Sequence, residues 1–587
     1  MANQHPGVTI KEVDSGPRPI EGVGTACLGI IGFAPSGPIL TPELVTNWGQ
    51  FVEKFGALEE GGQRNPYIPG AYLAHAIYGF FANGGGRCYV ARVGGDPRDK
   101  MPTSVQFFAD KPGRDKQALL TVEAKGSPTQ NIKVKLKPAE VKKGSSEEDY
   151  TFTLTVEMEG SRGPSTTEEY KKVSLRDGGG KNVVAEVTQK SRLVNAIEVS
   201  PADFSGPVRL AAAEHTIKGQ LIKPLKRLLV DERIGMPSVP VKTEKESAIK
   251  ERPTRKGEDS LKTDSNEVST QEQPPFENGT EAPTHLNLYD FQGKKPARSG
   301  ILGMELFDDI TMVCCPDLMA AKNAGLLGDK GAADELVRSF QEQMIKHCET
   351  MGDRIAILDT PSGLGAKPAE HWRAESNYDS KYAAVYFPWL KVIDPQTGEK
   401  IIVPPSGHIA GIYARNDDER GVHKAPANEV IRAALDAEIP ITNGEQDGLN
   451  PMGVNCLRSF PGRGLRVWGA RTISSDPAWR YINVRRLFNY VEKSIERGTQ
   501  WVVFEPNDHD LWARVRRDVT AFLIGVWREG ALFGLTQDEA FFVKCDAENN
   551  PEDERDRGRL NIDVGLAAVK PAEFVTFRFS QYSGGGA

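Results

Sequence analysis

The chain has 587 residues, 39% of them apolar, and a formal net charge of −7. A single core rarely holds more than about 250–300 residues, so two to four domains are expected. The acidic balance argues against a dedicated nucleic-acid binder, whose affinity rests on neutralising phosphates.

Residues 1–20 read as an extended N-terminal arm in which Val8, Ile10 and Val13 are the apolar positions and Pro17 and Pro19 forbid a helix. The arm shows neither the basic nor the apolar region of a signal peptide. No apolar run in the chain reaches the roughly 18 residues of a membrane span. The expectation is cytoplasmic synthesis and assembly without direct membrane insertion. The strand ACLGIIGFA follows, then a helix in TPELVTNWGQFVEKFG with Thr41 as N-cap, Pro42 at the first helical position and Gly56 at its end. AYLAHAIYGFFANGG predicts a second helix stopping at Asn83-Gly84, and RCYVARV a strand, an order that implies an α/β layer.

Between about 103 and 235 the segments QALLTVEA, NIKVKLK, DYTFTLTVEME, EYKKVSLR and RLVNAIEV alternate apolar and polar residues, the pattern of antiparallel strands with one solvated face. Residues 241–299 read as a polar surface segment, too poor in apolar side chains to offset its ordering entropy. The α/β texture returns at 300, with DDITMVCCPD, RIAILDTP and KYAAVYFPWLKV as strands and ADELVRSFQEQMIKHCETM as a helix. The expected fold is therefore an α/β core domain (21–95 and 300–570) with an inserted mostly antiparallel β domain (96–240) and extended N- and C-terminal strand arms.

Near the C-terminus, Val484, Leu487, Phe488, Val491 and Ile495 form the stripe of one amphipathic helix. A second, from Asp508 to about Glu529, is expected to bury Trp512, Val515, Val519, Phe522 and Val526. WVVFEP and AFFVKC read as strands. So does EFVTFRFSQY in the C-terminal arm (571–587), where Phe574 opposes Val575, Phe577 and Phe579. Strands at both chain ends with nothing beside them to pair with need partners elsewhere.

Searches for chemistry find little. GLLGDKG (325–331) lacks the spacing and hydroxyl of a P-loop, GVGTACLG precedes a strand and lacks the third fingerprint glycine, and neither HExxH nor GxSxG occurs. Seven scattered cysteines without CxxC spacing read as buried thiols in a reduced compartment. Asp359 and His408, the only acid and histidine that invite a catalytic reading, are expected to be structural, so no catalytic, cofactor or metal site is expected. RSFPGRGLRVWGARTISSDPAWRYINVRRL (458–487) is the one passage with the composition of a phosphate or RNA surface. Its glycines 462, 464 and 469 suit turns at positive φ. Arg458, Arg463, Arg466 and Arg471 are placed in loops, and Arg480, Arg485 and Arg486 at the start of a helix. Arginines there oppose the helix dipole, so they are expected to answer carboxylates in packing or between subunits.

With those residues in view, the chain resembles the sheath proteins of contractile phage tails and phage-tail-like injection systems. The resemblance runs through HPGVTIKEVDSGPRPIEGVGT, GFAPSGP and YGFFANGGGRCYVARV, then ELFDDITMVCCPD, APANEVI, LNPMGVNCLRSFPGRGLRVWGARTISSDPAWRYINVRRL and ERGTQWVVFEPND. It covers roughly 1–95 and 300–587. It implies a subunit that polymerises with itself as a helical homo-oligomer of stacked six-subunit rings around an inner tube protein, with baseplate and cap or terminator proteins at the ends. It also implies irreversible contraction driven by energy stored in the extended state, with no nucleotide, metal or other cofactor and no nucleic acid. In such sheaths terminal arms complete sheets in neighbouring subunits, which here singles out Val8, Ile10, Val13, Phe574, Val575, Phe577 and Phe579. Arg514, Arg517 and Arg528, on one face of the second helix, are the candidate tube contacts, with Arg485 and Arg486 as rivals. The insert is expected to face outward. Two alternatives stay open: an RNA-binding protein using 458–487, and a hydrolase using Asp359 or His408.

Overall fold

The computed structural model describes residues 20–59, 62–93, 104–108, 118–124, 131–139, 151–158, 166–175, 181–198, 210–217 and 286–578. Val8, Ile10, Val13 and Phe579 lie outside them.

An eight-stranded sheet organises the body. Its strands are β1 Cys27–Phe33, β2 Glu43–Val45, β3 Arg87–Val93, β4 Met312–Cys314, β5 Ile355–Asp359, β6 Ala383–Phe387, β7 Val454–Phe460 and β8 Gly464–Trp468, in the order β2-β3-β1-β4-β5-β6-β7-β8. The six inner strands are parallel. The edge strands β2 and β8 run antiparallel to their neighbours. CLGIIGF is buried at every position, as a strand covered on both faces must be.

Helices cover both faces. On one side pack α1 Trp48–Phe55, α2 Leu73–Ala82 and α7 Ser406–Arg420, through Phe51, Phe80 and Ile409. On the other lie α3 Leu288–Gln292, α4 Asp317–Asn323, α5 Lys330–Met351 and α6 Ala366–Ser376, through Phe291, Leu318, Phe340 and Ala369. A separate C-terminal core joins α8 Ile482–Gly498, α9 His509–Arg528 and a two-stranded ribbon, β9 Phe541–Lys544 with β10 Asp563–Leu566.

The chain leaves the main sheet after Val93 and re-enters it at Met312, yet β3 and β4 flank the same strand β1. In between, Phe152–Met158 and its neighbours form a five-stranded sheet, and Ser104–Phe108, Ala118–Ala124 and Val194–Glu198 a three-stranded one. These two sheets share a core of their own, into which the body contributes Leu58. All but one of their pairings are antiparallel, the exception being Val173–Ser174 with Lys181–Asn182.

Several local expectations are corrected. The Thr41-Pro42 start is not a helix: Glu43–Val45 pairs with β3, and α1 begins under Asn47, whose side chain accepts the Gln50 N–H at 2.9 Å. A sheet edge needing a partner overrides the local cap signal. KYAAVYFPWLKV divides at Pro388, which has no N–H to continue a ladder. Leu390–Ile393 therefore joins a separate three-stranded sheet. WVVFEP is a 3-10 turn (Gln500–Val502) and loop joining α8 to α9, with Phe504 at φ +68° and fully exposed. The chain rejoins the main core from Leu286, before the expected boundary at 300: Phe291 stacks edge-on against Phe33 at 6.0 Å. Among the described residues, 571–578 join no strand ladder, and Phe574, Val575 and Phe577 are exposed there. Phe522 is only half-buried.

Candidate assembly site

The arginine-rich passage is built on the edge of the main sheet. β7 and β8 form a hairpin whose turn places Gly462 and Gly464 at φ +71° and +73°, a conformation that disfavours any side chain. Gly469 is different: a Cβ there would sit 2.8 Å from Asn455 Oδ1, so close approach requires it. Arg458 and Arg466 stand on strands, not in loops, and Arg480 precedes α8. Arg458 donates to Asn443 Oδ1 and Gln446 Oε1 at 2.8 and 2.9 Å. Arg463 and Arg466 both close on Asn428, at 3.0 Å to its Oδ1 and 2.6 Å to its carbonyl.

The other three arginines meet carboxylates. Arg486 pairs with Asp417 at 2.6 Å and donates to the Thr25 carbonyl at 3.0 Å. Arg485 bonds Glu492 at 2.9 Å and lies over the Trp479 ring. Both are buried, 4% and 1% exposed, so they do not supply the rival tube-facing surface. Arg471 grips Glu573 through Nε at 2.8 Å and Nη2 at 2.7 Å, a bidentate pair. Asn450 Nδ2 and the Tyr481 hydroxyl donate to the same carboxylate at 2.7 and 3.0 Å. Burial alone would raise the Glu573 carboxyl; the bonds from Arg471, Asn450 and Tyr481 outweigh it and hold the group below the usual carboxylate range. Beside this cluster a groove of about 700 Å³ runs between the arm and the body, lined by Trp468, Asn443, Gln446 and Phe574.

The N-terminal arm meets the body along α8. Ile20 packs against Gly498, Val23 donates to Ser494 Oγ at 3.2 Å, and Gly22 lies against the Tyr490 phenol. On α9, Arg514, Arg517 and Arg528 are exposed opposite the buried Trp512, Val515 and Val519. Arg514 is 3.4 Å from Glu505, and Arg517 3.2 Å from Asp518. The ribbon β9–β10 has no further strand on either edge among the described residues. Phe542, Phe533 and Leu535 are exposed around it.

The two residues considered for catalysis serve packing. Asp359 accepts the N–H and hydroxyl of Ser406 at 2.9 and 2.6 Å, capping α7, and burial pushes its carboxyl up to about 7. His408 packs its ring on Gly79, and burial holds it down to about 4. Asp317, which no sequence pattern flagged, sits where the strand order switches between β1 and β4. Open α/β sheets bind ligands at such a point; here its carboxylate fills the crevice, accepting N–H bonds from Phe33 at 2.6 Å, Tyr72, and Leu73 at 3.2 Å. All seven cysteines are buried and free.

Residues 316–473 match the family model for the phage tail sheath protein central domain, and 474–581 that for the phage tail sheath C-terminal domain. The tail sheath protein of Vibrio phage KVP40 is 27% identical over 331 residues, 50% of this chain and 47% of that one. The putative prophage major tail sheath protein of Pseudomonas aeruginosa is 27% identical over 234 residues, 38% of this chain and 57% of that one. The chain thus spans about half the length of the curated relatives it matches. Among solved structures, the PVC sheath complex of an extracellular contractile injection system in its contracted state aligns with a TM-score of 0.52 at 19% identity, over 99% of each chain. The helical sheath of the anti-feeding prophage in its contracted state aligns at 0.50 and 22%, over 99% of this chain and 100% of that one. These likenesses establish a shared fold. Residues 316–581 thus carry the central and C-terminal domains of the phage tail sheath family.

Proposed function

We propose that this chain is the sheath subunit of a contractile particle: it polymerises helically around an inner tube and contracts irreversibly to drive that tube through a target envelope. One observation carries the reading. The described C-terminal end leaves the body as an exposed segment, while among the described residues the ribbon β9–β10 has two open strand edges beside exposed Phe542, Phe533 and Leu535. An incoming arm strand that alternates Phe574 against Val575 and Phe577 satisfies such an edge with backbone hydrogen bonds and places apolar groups on both faces. Arms exchanged among copies in this way form a mesh that stays linked while subunits rotate.

The inserted β domain faces outward, and the exposed arginines of α9 face the tube. Contraction without a nucleotide requires energy stored at assembly. Burying a further ~200 Å² of apolar surface per subunit releases at most about 5 kcal/mol each, summed over the polymer.

The first experiment is electron microscopy of the purified protein beside two truncations, lacking 1–18 and 571–587. Hollow helical tubes from the full chain and folded, non-polymerising truncations are expected. Normal tubes from either truncation remove the arm mesh. Salt-sensitive RNA binding through Arg463 and Arg466 without any polymer would favour the nucleic-acid alternative.

A further inference from the structure

Both arms are fastened to one helix. Along α8, the residues at positions 486, 490, 494 and 498 form a single i, i+4 ridge. Each meets the incoming N-terminal arm: Arg486 holds the Thr25 carbonyl, Tyr490 lies under Gly22, Ser494 takes the Val23 N–H, and Gly498 leaves room for Ile20, whose side chain a Cβ would approach to 2.7 Å. At the other end of the helix, its N-cap residue Tyr481 donates to Glu573 of the C-terminal arm at 3.0 Å, and Asn483 to the Val569 carbonyl, just before that arm, at 3.0 Å. Arg471 and Asn450 complete the grip on Glu573. α8 has 17 residues and so spans about 25 Å. It is anchored to the body by the buried Arg486–Asp417 pair and by Leu487 and Val491 in the C-terminal core.

We propose that α8 is a strut carrying both arm roots, with Glu573 and its three donors as the clamp that positions the C-terminal arm, and the ridge ending at Gly498 as the seat that positions the N-terminal arm. This rests on the arm-exchange reading above. A strand on a loose tether searches a large volume, and its effective concentration at a neighbour's sheet edge falls accordingly; fixing the root restricts that search. Two roots held about 25 Å apart on one rigid element also fix the offset between the neighbours each arm reaches. Any displacement of α8 carries both arms with it, which keeps the links in step as the lattice rearranges.

The test uses the full-length chain with Glu573→Gln, which keeps the side chain's shape but removes its charge, and separately Gly498→Ala, which adds one methyl where Ile20 sits. Each variant is compared with the 571–587 truncation. Expected for Glu573→Gln are a folded protein with a cooperative thermal transition, faster tryptic cleavage after Arg578, and about a tenfold loss of sedimentable polymer. Glu573→Asp, which retains the charge, recovers part of it. Gly498→Ala should lose polymer while leaving cleavage after Arg578 unchanged. If the truncation fails to polymerise but both point variants assemble with the parent's helical repeat, the strut is wrong and arm exchange stands. If the truncation itself assembles normally, arm exchange is wrong and the strut falls with it.

Discussion

Asp359 ends strand β5 and caps α7 with its carboxylate, and Asp317, the first residue of α4, does the same toward α2. Burial pushes both carboxyls from the ordinary 3.8 up to about 7. The folded state therefore holds their protons more tightly than the unfolded chain. The stability this confers is full below 3.8 and is lost as pH rises through about 7. His75, His347 and His408 act in the opposite sense: burial holds each down from 6.5 to about 4, so their contribution is present above 6.5 and lost as pH falls toward 4. Asp359→Asn isolates one group, since the Ser406 hydroxyl can turn to accept from the new amide while the amide oxygen keeps the Ser406 N–H. Histidine titration is common to both proteins and cancels in the difference. Thermal unfolding of the two between pH 5 and pH 8 should show the variant gaining on the parent by about 2 kcal/mol as pH rises from 5 to 7. Parallel curves would mean that Asp359 titrates in the fold as it does in the unfolded chain.

At the scale of elements, α9 offers a test of tube contact. Arg514 is about half-exposed, pairs at the surface with Glu505 and lies over the Trp501 ring, whereas the half-exposed Arg517 answers the buried carboxylate of Asp518 and is left in place. Reversing Arg514 and the exposed Arg528 to Glu should leave the thermal midpoint close to the parent's and cut co-assembly with the inner tube about tenfold at low salt. Unaltered co-sedimentation with tubes would move the contact to another face. This helix was legible in the sequence because its apolar stripe repeats at 3.6 and Asp508 caps it, accepting the Leu511 N–H at 2.9 Å. The carboxylate partner of Arg486 was anticipated in kind but not by name, because Asp417 lies 69 positions away, and the partner of Arg471, Glu573, 102 positions away, was not anticipated at all. WVVFEP misled for a related reason: β-branched residues favour a strand only where an edge is free to pair, and here the chain is turning between two packed helices. Leu286–Phe291 was hidden by polar neighbours, since a short amphipathic helix leaves too weak a period to read.

For the whole molecule, the route out to the inserted sheets and back nearly closes on itself. The Leu40 N–H bonds the Arg92 carbonyl at 2.6 Å, and the Leu40 carbonyl accepts the Gly300 N–H at 2.6 Å, so one residue bridges the outgoing strand and the returning chain. The inserted sheets have their own buried core and draw on the body through Leu58. A chain in which 96–285 is replaced by a flexible Gly/Ser linker of about twelve residues should therefore keep the main sheet. Leu58→Lys in the same chain offsets the exposure of that side chain, otherwise a loss of about 1.5–3 kcal/mol. The expected product is a folded protein with a cooperative thermal transition. In electron micrographs it should form tubes with the parent's helical repeat and a smaller outer diameter, because the outward-facing mass is gone while strut, arms and ribbon are intact. Folded protein that forms no tubes would instead place lattice contacts on the insert, and the parent's diameter in the shortened chain would show that the insert never faced outward.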